Sequence, residues 1–242
     1  MIKHTSTQRK VIDIYHNDGH EKAWNYWKLV GNTYGIFLGE VPSNDFIDGE
    51  TLANHIRLTE GVICNIDTPW LKFLLDGNII YVAMKPLMHS VSWDDINKCG
   101  AVFENEGATI NIDSNTYDIT LLSGANRNCI LSGQCYGFDM DFTHTSEWNR
   151  LMYPVHSGVH EDNDNPSTPS VSYAQWATYS DSDLGVRYTP DRGTAAWVQE
   201  TQHTNDAKCF NRGYNGVTYV CSSTPTVATS DFGWRPVLRT IK

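Results

Sequence analysis

The chain has 242 residues, of which 40% are hydrophobic, and a formal net charge of −10. Charged residues make up only 19% of the chain, whereas aromatic residues reach 12%. The negative balance, without any cluster of Lys and Arg, argues against a function that depends on neutralising phosphates, so we expect no nucleic-acid partner. Low charge with many aromatic and small polar residues favours a β-rich protein with long polar loops.

Residues 1–35 are polar, with isolated large aromatic side chains. They contain no apolar stretch typical of a cleaved leader, and the rest of the chain has no apolar run of membrane-spanning length. We therefore expect neither a leader nor membrane insertion. Within this part, Glu21–Leu29 fits a short helix that presents Trp24 and Trp27. Two interpretations stay open: an arm that docks on a neighbouring subunit, or an ordinary first element of the domain.

Residues 36–90 are predicted to form a small β-rich region. The apolar spacing over 49–58 predicts a short helix. Two apolar strands at 70–74 and 79–83 flank turn residues at 76–78, which predicts a β-hairpin.

Residues 91–242 are predicted to form the main domain, which contains two short helices. Ser92 is a natural N-cap for the first helix, at about 92–99, and Asp95 stands where a capping box requires an acidic partner. The second helix is expected at about 146–153.

Six further strands are predicted from apolar patterning, at 109–112, 117–122, 194–200, 208–212, 217–222 and 231–241. Pro236 is expected at an edge or a bulge of the last strand, because proline cannot donate to a sheet. The stretch 156–193, between the second predicted helix and the predicted strand at 194–200, is the least regular part of the chain. Loops of this length are usually functional or disordered.

This long loop region holds the candidate binding residues. Four aromatic side chains suit contacts with a protein or glycan ligand, or else pack the loop onto the core: Tyr173, Trp176, Tyr179 and Tyr188. Three carboxylates fit a calcium site, with a solvated acidic loop as the alternative: Glu161, Asp162 and Asp164. We expect no other cofactor.

Six cysteines are present without a CxxC spacing, which argues against a structural zinc site. Cys129 with Cys135, and Cys209 with Cys221, could each lie across a hairpin. A chain made in a reducing cytoplasm normally keeps its thiols, so we favour buried cysteines that act as small apolar side chains.

Three groups of motifs stand out in order along the chain: Trp70–Phe73, Ile79–Pro86, Ser92–Ile96 and Cys99–Phe103; then Tyr117–Ala125 and Ser146–Pro154; then Trp197–Glu200, Phe210–Gly213 and Asp231–Leu238. Together, over about 36–242, they resemble a module of structural proteins from tailed bacteriophages. The third group is also similar to the end of the formylglycine-generating-enzyme-like branch of the C-type lectin fold.

The resemblance implies an α+β, β-rich fold, with a C-type-lectin-like domain of two short helices and a long loop region, preceded by a small N-terminal segment. Three residues near the end are expected to close this fold. Gly233 allows a close approach of two backbones, Trp234 fills the core, and Arg235 bridges loops through paired hydrogen bonds.

The resemblance also implies a virion structural protein, made in the host cytoplasm and exposed on the particle as tail, fibre, collar or decoration. Its role would be assembly and host-surface attachment rather than catalysis. The expected partners are other virion proteins, further copies in a symmetric homo-oligomer, and a host-surface receptor. Two alternatives stay open: a dedicated receptor-binding module for a glycan or an outer-membrane protein, and an enzyme of the formylglycine-generating type that uses Cys209 and Cys221.

Overall fold

The computed structural model describes residues 35–125, 137–138, 146–156, 179–187, 192–202 and 208–241 of the chain. These residues form an α+β, strand-rich fold with two sheets and few helices, which confirms the predicted fold class at that level. The helix predicted at Glu21–Leu29, and the rest of the candidate arm up to residue 34, lie outside the described residues.

Sheet A has six strands: β1 (Ile36–Val41), β3 (Trp70–Leu75), β4 (Asn78–Ala83), β6 (Thr109–Ile112), β7 (Asn115–Thr120) and β13 (Val237–Thr240). Their order is β1-β3-β4-β13-β7-β6, and all neighbours are antiparallel. The predicted hairpin is β3–β4. Its two-residue turn has φ values of 49° at Asp76 and 82° at Gly77, as a tight hairpin turn requires.

Sheet B has seven strands: β2 (Val62–Ile63), β5 (Met88–His89), β8 (Gly137–Phe138), β9 (Ala195–Thr201), β10 (Cys209–Gly213), β11 (Gly216–Ser223) and β12 (Phe232–Trp234). Their order is β2-β5-β12-β9-β10-β11-β8. The pair β12–β9 is parallel, and the other pairs are antiparallel.

The described helices are α1 (Gly49–His55), α2 (Trp93–Lys98), α3 (Glu147–Val155) and α4 (Asp181–Leu184), with a single 3₁₀ turn at Ser43–Asp45. Ser92 caps α2 in a capping box with Asp95, as predicted. Helix α4 was not predicted, because four residues are too few for an apolar period. None of the helices in the described ranges is both long enough and apolar enough to cross a membrane.

The two regions predicted at 36–90 and 91–242 share both sheets. In sheet A, β13 lies between β4 and β7, and in sheet B, β12 lies between β5 and β9. Strands from either side of residue 90 are therefore hydrogen-bonded neighbours. The expected boundary does not separate two packing units, because strand pairing here is set by contacts distant in sequence.

The apolar stretch at 231–241 is not the single strand that was predicted. The chain leaves sheet B after β12 and enters sheet A at β13, with Arg235 and Pro236 between them. At this crossing the Ala83 N–H donates to the Pro236 carbonyl (3.1 Å). Proline therefore stands where the chain changes sheet, a position that needs no donor from it.

Two buried clusters cover the sheets. In the first cluster, Trp148 and other side chains of α3 pack against Phe73 and Val82 of sheet A and against Phe210 of sheet B. In the second, α1 and α2 pack with side chains such as Trp70, Ile119, Trp197 and Trp234. Because successive side chains of a strand point to opposite faces, both clusters draw on the same strands and join the helices to both sheets.

Candidate functional site

Gly233 and Trp234 lie on β12, just before the chain leaves sheet B. A side chain on residue 233 would overlap the carbonyl oxygen of Gly193, so glycine is what allows these two backbones to approach. Trp234 is fully buried in the second cluster. Both residues thus serve packing at the sheet crossing.

The guanidinium of Arg235 is buried and joins two elements of the fold. Its Nη1 donates to the carbonyls of Ala83 (3.1 Å) and Met84 (2.5 Å), and its Nη2 donates to those of Leu184 and Gly185. Burial lowers the pKa of Arg235 to about 9, which leaves it protonated at neutral pH. The charged side chain therefore ties the end of β4 to the end of α4.

Trp148 of α3 contacts two buried arginines. The guanidinium carbons of Arg235 and Arg212 lie 5.5 and 5.7 Å from its ring centroid, within the range of cation–π attraction. Arg212 also donates to the Gly124 carbonyl (2.8 Å) and to the Asn149 side-chain oxygen (3.0 Å). These contacts make the centre of the molecule a packed, hydrogen-bonded support.

The two ends of the segment 157–178 are held side by side. His156 and Tyr179 form a parallel β-bridge. His156 Nε2 lies 2.9 Å from Asp181 Oδ1, and the Tyr179 hydroxyl donates to Glu40 Oε1 (2.6 Å). We call His156, Tyr179, Asp181 and Glu40 the loop base. The segment therefore starts and finishes at one place on the packed support.

Tyr179 is the one predicted ligand-contact residue that the structure describes. It is only 7% exposed, and its ring meets that of Phe37 edge-on at 6.0 Å. Burial and the neighbouring Glu40 carboxylate raise the pKa of its hydroxyl. In this structure the Tyr179 side chain packs into the core beside Phe37. The remaining predicted contact and calcium residues lie outside the described residues: Tyr173, Trp176, Tyr188, Glu161, Asp162 and Asp164.

A pair of glutamates accepts hydrogen bonds from two consecutive backbone amides. The Ser123 N–H donates to Glu147 Oε2 (3.0 Å), and the Gly124 N–H donates to Glu200 Oε2 (2.8 Å). Glu147 also binds both terminal nitrogens of Arg239, at 2.6 and 2.7 Å. Burial raises the pKa of Glu200 to about 7, and the charge of Glu147 acts in the same direction. Perturbed carboxyl groups occur in functional sites and in structural networks alike.

This pair was not predicted from the sequence, although a signal was present. Ala196 and Val198 are buried and precede Glu200 at every second position of β9. Strand alternation therefore places the Glu200 side chain on the same face as these two residues, where it is half-buried. A charged group in that register requires dedicated hydrogen-bond partners, which the amide of Gly124 helps to supply.

Cys209 and Cys221 lie on the neighbouring strands β10 and β11 but not opposite each other. Cys209 faces Ser223 in the register, and Cys221 faces Asn211. Burial raises the pKa of the Cys209 thiol to about 12. Because the thiolate is the nucleophilic form, this environment keeps the Cys209 thiol in its less reactive state. Cys129 and Cys135 lie outside the described residues.

Among the described residues, no group of three or more His, Cys, Asp or Glu side chains is arranged to hold a metal ion. Comparison of the chain with protein-family models, with curated proteins and with solved structures gives no match. The resemblance to the bacteriophage module therefore rests on the motifs alone.

Proposed function

We propose that the chain is a structural protein on the outside of a tailed-bacteriophage particle, where it serves assembly and attachment to the host surface. The observation that carries this proposal is the loop base, which holds both ends of the segment 157–178 on a packed two-sheet support. Binding residues on loops are commonly positioned by a rigid scaffold, since a fixed support reduces the entropy lost on binding.

The composition of this segment suits recognition. Tyr173 and Trp176 are amphipathic aromatic residues, the kind most often found at the energetic centre of interfaces. Glu161, Asp162 and Asp164 add carboxylates that a cationic partner or a calcium ion would contact. A protein or glycan on a neighbouring surface is therefore the proposed ligand.

The motifs behind the bacteriophage resemblance coincide with elements that hold the fold together. Ser92–Ile96 forms the capped start of α2, and Ser146–Pro154 covers most of α3. Asp231–Leu238 contains the sheet crossing with Arg235. This agreement supports a shared fold, which we propose to be C-type-lectin-like, with copies arranged as a rotationally symmetric homo-oligomer among other virion proteins.

A dedicated receptor-binding module is the second candidate, and the loop base favours it equally. The two candidates differ in what the segment 157–178 contacts. In a virion structural role it contacts neighbouring particle proteins, whereas in a receptor-binding role it contacts a host glycan or an outer-membrane protein.

One experiment on assembled particles separates these outcomes. Purified particles of the virus that encodes the chain would be analysed by mass spectrometry and by electron cryo-microscopy, with the unaltered chain and with Tyr173→Ala plus Trp176→Ala. Tyr179→Phe, which removes the hydroxyl contact to Glu40 and keeps the ring, is the matched control. We expect the unaltered chain on the outer surface in symmetric copies.

Altered particles that lack the chain would support assembly contacts through the segment. Altered particles that retain the chain but adsorb poorly to cells would support the receptor-binding module. A chain missing from unaltered particles would overturn the proposal.

A further inference from the structure

We propose that Asn215 is a site of spontaneous deamidation, which is protected while the hairpin of β10 and β11 is closed and reacts when that hairpin opens. Asn215 is the second residue of the turn between these strands, and it is followed by Gly216, the first residue of β11. The inference rests on described residues and does not depend on the proposed function.

The reaction joins the asparagine side chain to the backbone nitrogen of the next residue. The Gly216 nitrogen attacks the side-chain carbonyl carbon of Asn215, and the new C–N bond closes a succinimide ring. The side-chain nitrogen leaves as ammonia, which also carries the Gly216 amide proton. Solvent water then adds across one of the two ring C–N bonds and leaves either aspartate or isoaspartate at position 215. Water is the only co-reactant, and nothing is oxidised or reduced.

Asn215 meets the chemical requirements for this attack. It is the only asparagine of the chain that is followed by glycine. Because glycine has no Cβ, its backbone is the most permissive for the rotation that ring closure needs. Asn215 is also exposed, so that water reaches the site and ammonia can leave it. The turn therefore contains the position in the sequence that is best suited to deamidation.

The closed hairpin holds the attacking nitrogen in a hydrogen bond. The Gly216 N–H donates to the Val186 carbonyl at 2.6 Å, and Asn215 forms an isolated antiparallel bridge with Arg187. Val186 is fixed in turn, because its own N–H donates to the Asp181 carbonyl in α4 (3.0 Å). Ring closure requires the bond from Gly216 to break and the backbone at 215–216 to rotate. The folded turn therefore suppresses the reaction.

The isoaspartate product does not fit the turn that Asn215 occupies. Gly213 and Gly216 are paired across a turn of two residues, and isoaspartate adds one atom to the backbone of that turn. Because turn geometry sets the register of a hairpin, the pairing of β10 with β11 is disturbed. The new carboxylate also adds negative charge near Asp181, whose Oδ1 lies 3.7 Å from where a side chain on Gly216 would begin. One opening of the hairpin thus leaves a lasting loss of stability.

Peptide mass spectrometry of the full chain, incubated at pH 8 either folded or in urea and then digested at mildly acidic pH, tests the site. Trypsin cleavage after Arg212 and Arg239 releases residues 213–239, in which Asn215 is the only side-chain amide. We expect deamidation to be at least about tenfold slower in the folded chain, because only the open hairpin reacts. Asn215→Gln is the matched control, since its longer side chain closes the ring much more slowly.

Equal rates in the folded and denatured chains would overturn the protection by the hairpin, and an unchanged peptide from the denatured chain would overturn the site itself. A second measurement compares thermal melts of the refolded isoaspartate form, separated by ion-exchange chromatography, with those of Asn215→Asp. This variant adds the same charge on a normal backbone. We expect the isoaspartate form to melt at a lower temperature, and equal melting of the two would overturn the effect of the extra backbone atom.

Discussion

Arg235 is the residue through which the sheet crossing is joined to α4, and its replacement by methionine tests how much that joint contributes. Methionine has a similar length and remains apolar, but it has no donor. The carbonyls of Ala83, Met84, Leu184 and Gly185 would then lose the hydrogen bonds that the guanidinium supplies. The substitution isolates these bonds from the packing of the side chain.

The expected loss can be worked out from these contacts. A buried polar group left without its partner costs about 1–3 kcal/mol, and four carbonyls would lose theirs. Part of this loss of stability is offset, because the variant no longer has to bury the charge of Arg235. We expect Arg235→Met to lower the free energy of unfolding by about 3 kcal/mol. Arg235→Lys should lose nearly as much, since an ammonium group cannot reproduce the planar fork.

Equilibrium urea denaturation followed by tryptophan fluorescence measures this change. The matched control is Arg187→Met, because the Arg187 side chain is 72% exposed and lies 3.6 Å from Asp181 in a surface ion pair. We expect this control to change the free energy of unfolding by less than about 0.5 kcal/mol. A loss below about 1 kcal/mol for Arg235→Met, or equal losses for both variants, would refute the reasoning.

Three further predictions concern other parts of the fold. The free energy of unfolding should fall by up to about 3 kcal/mol between pH 4.5 and 7, because Glu200 keeps its proton up to a pKa of about 7 in the folded chain but not in the unfolded chain. This pH dependence should flatten in Glu200→Gln. An unchanged pH dependence in that variant would assign the effect to other groups. Gly233→Ala should cost more than about 3 kcal/mol, because the new methyl group overlaps the backbone of Gly193. Gly107→Ala meets no atom within 4 Å and is strained only by its φ of 105°, so it should cost about 2 kcal/mol. Thermal melts that rank the two variants in reverse would contradict the close approach. Iodoacetamide at pH 8 should label Cys209 only after denaturation, as read by peptide mass spectrometry, and rapid labelling of the folded chain would mean that the thiol is accessible.

Features that depend on neighbours in sequence were predicted correctly. The β3–β4 hairpin follows from two apolar runs around Asp76-Gly77, and α2 begins where Ser92 and Asp95 supply a capping box. Both signals lie within a few residues, so the sequence alone is sufficient to read them.

Features that depend on distant contacts were not predicted. Nothing local to 231–241 indicates that the chain changes sheet at Arg235, because the partners of β12 and β13 lie far away in sequence. The same holds for the domain boundary expected after residue 90. The convergence of Glu147 and Glu200 likewise arises only when α3 and β9 approach the same backbone, although strand alternation already places Glu200 on the face of Ala196 and Val198.

The position of β12 and β13 inside both sheets also affects how a newly made chain folds. In sequence they follow every other described strand, so the ribosome delivers them after the other strands of both sheets. Until they arrive, sheet A lacks the link between β4 and β7, and sheet B lacks the link between β5 and β9. A nascent chain therefore carries four open strand edges that can pair with another molecule. We therefore expect chains that stop before β12 to aggregate more readily than chains in which both links are made.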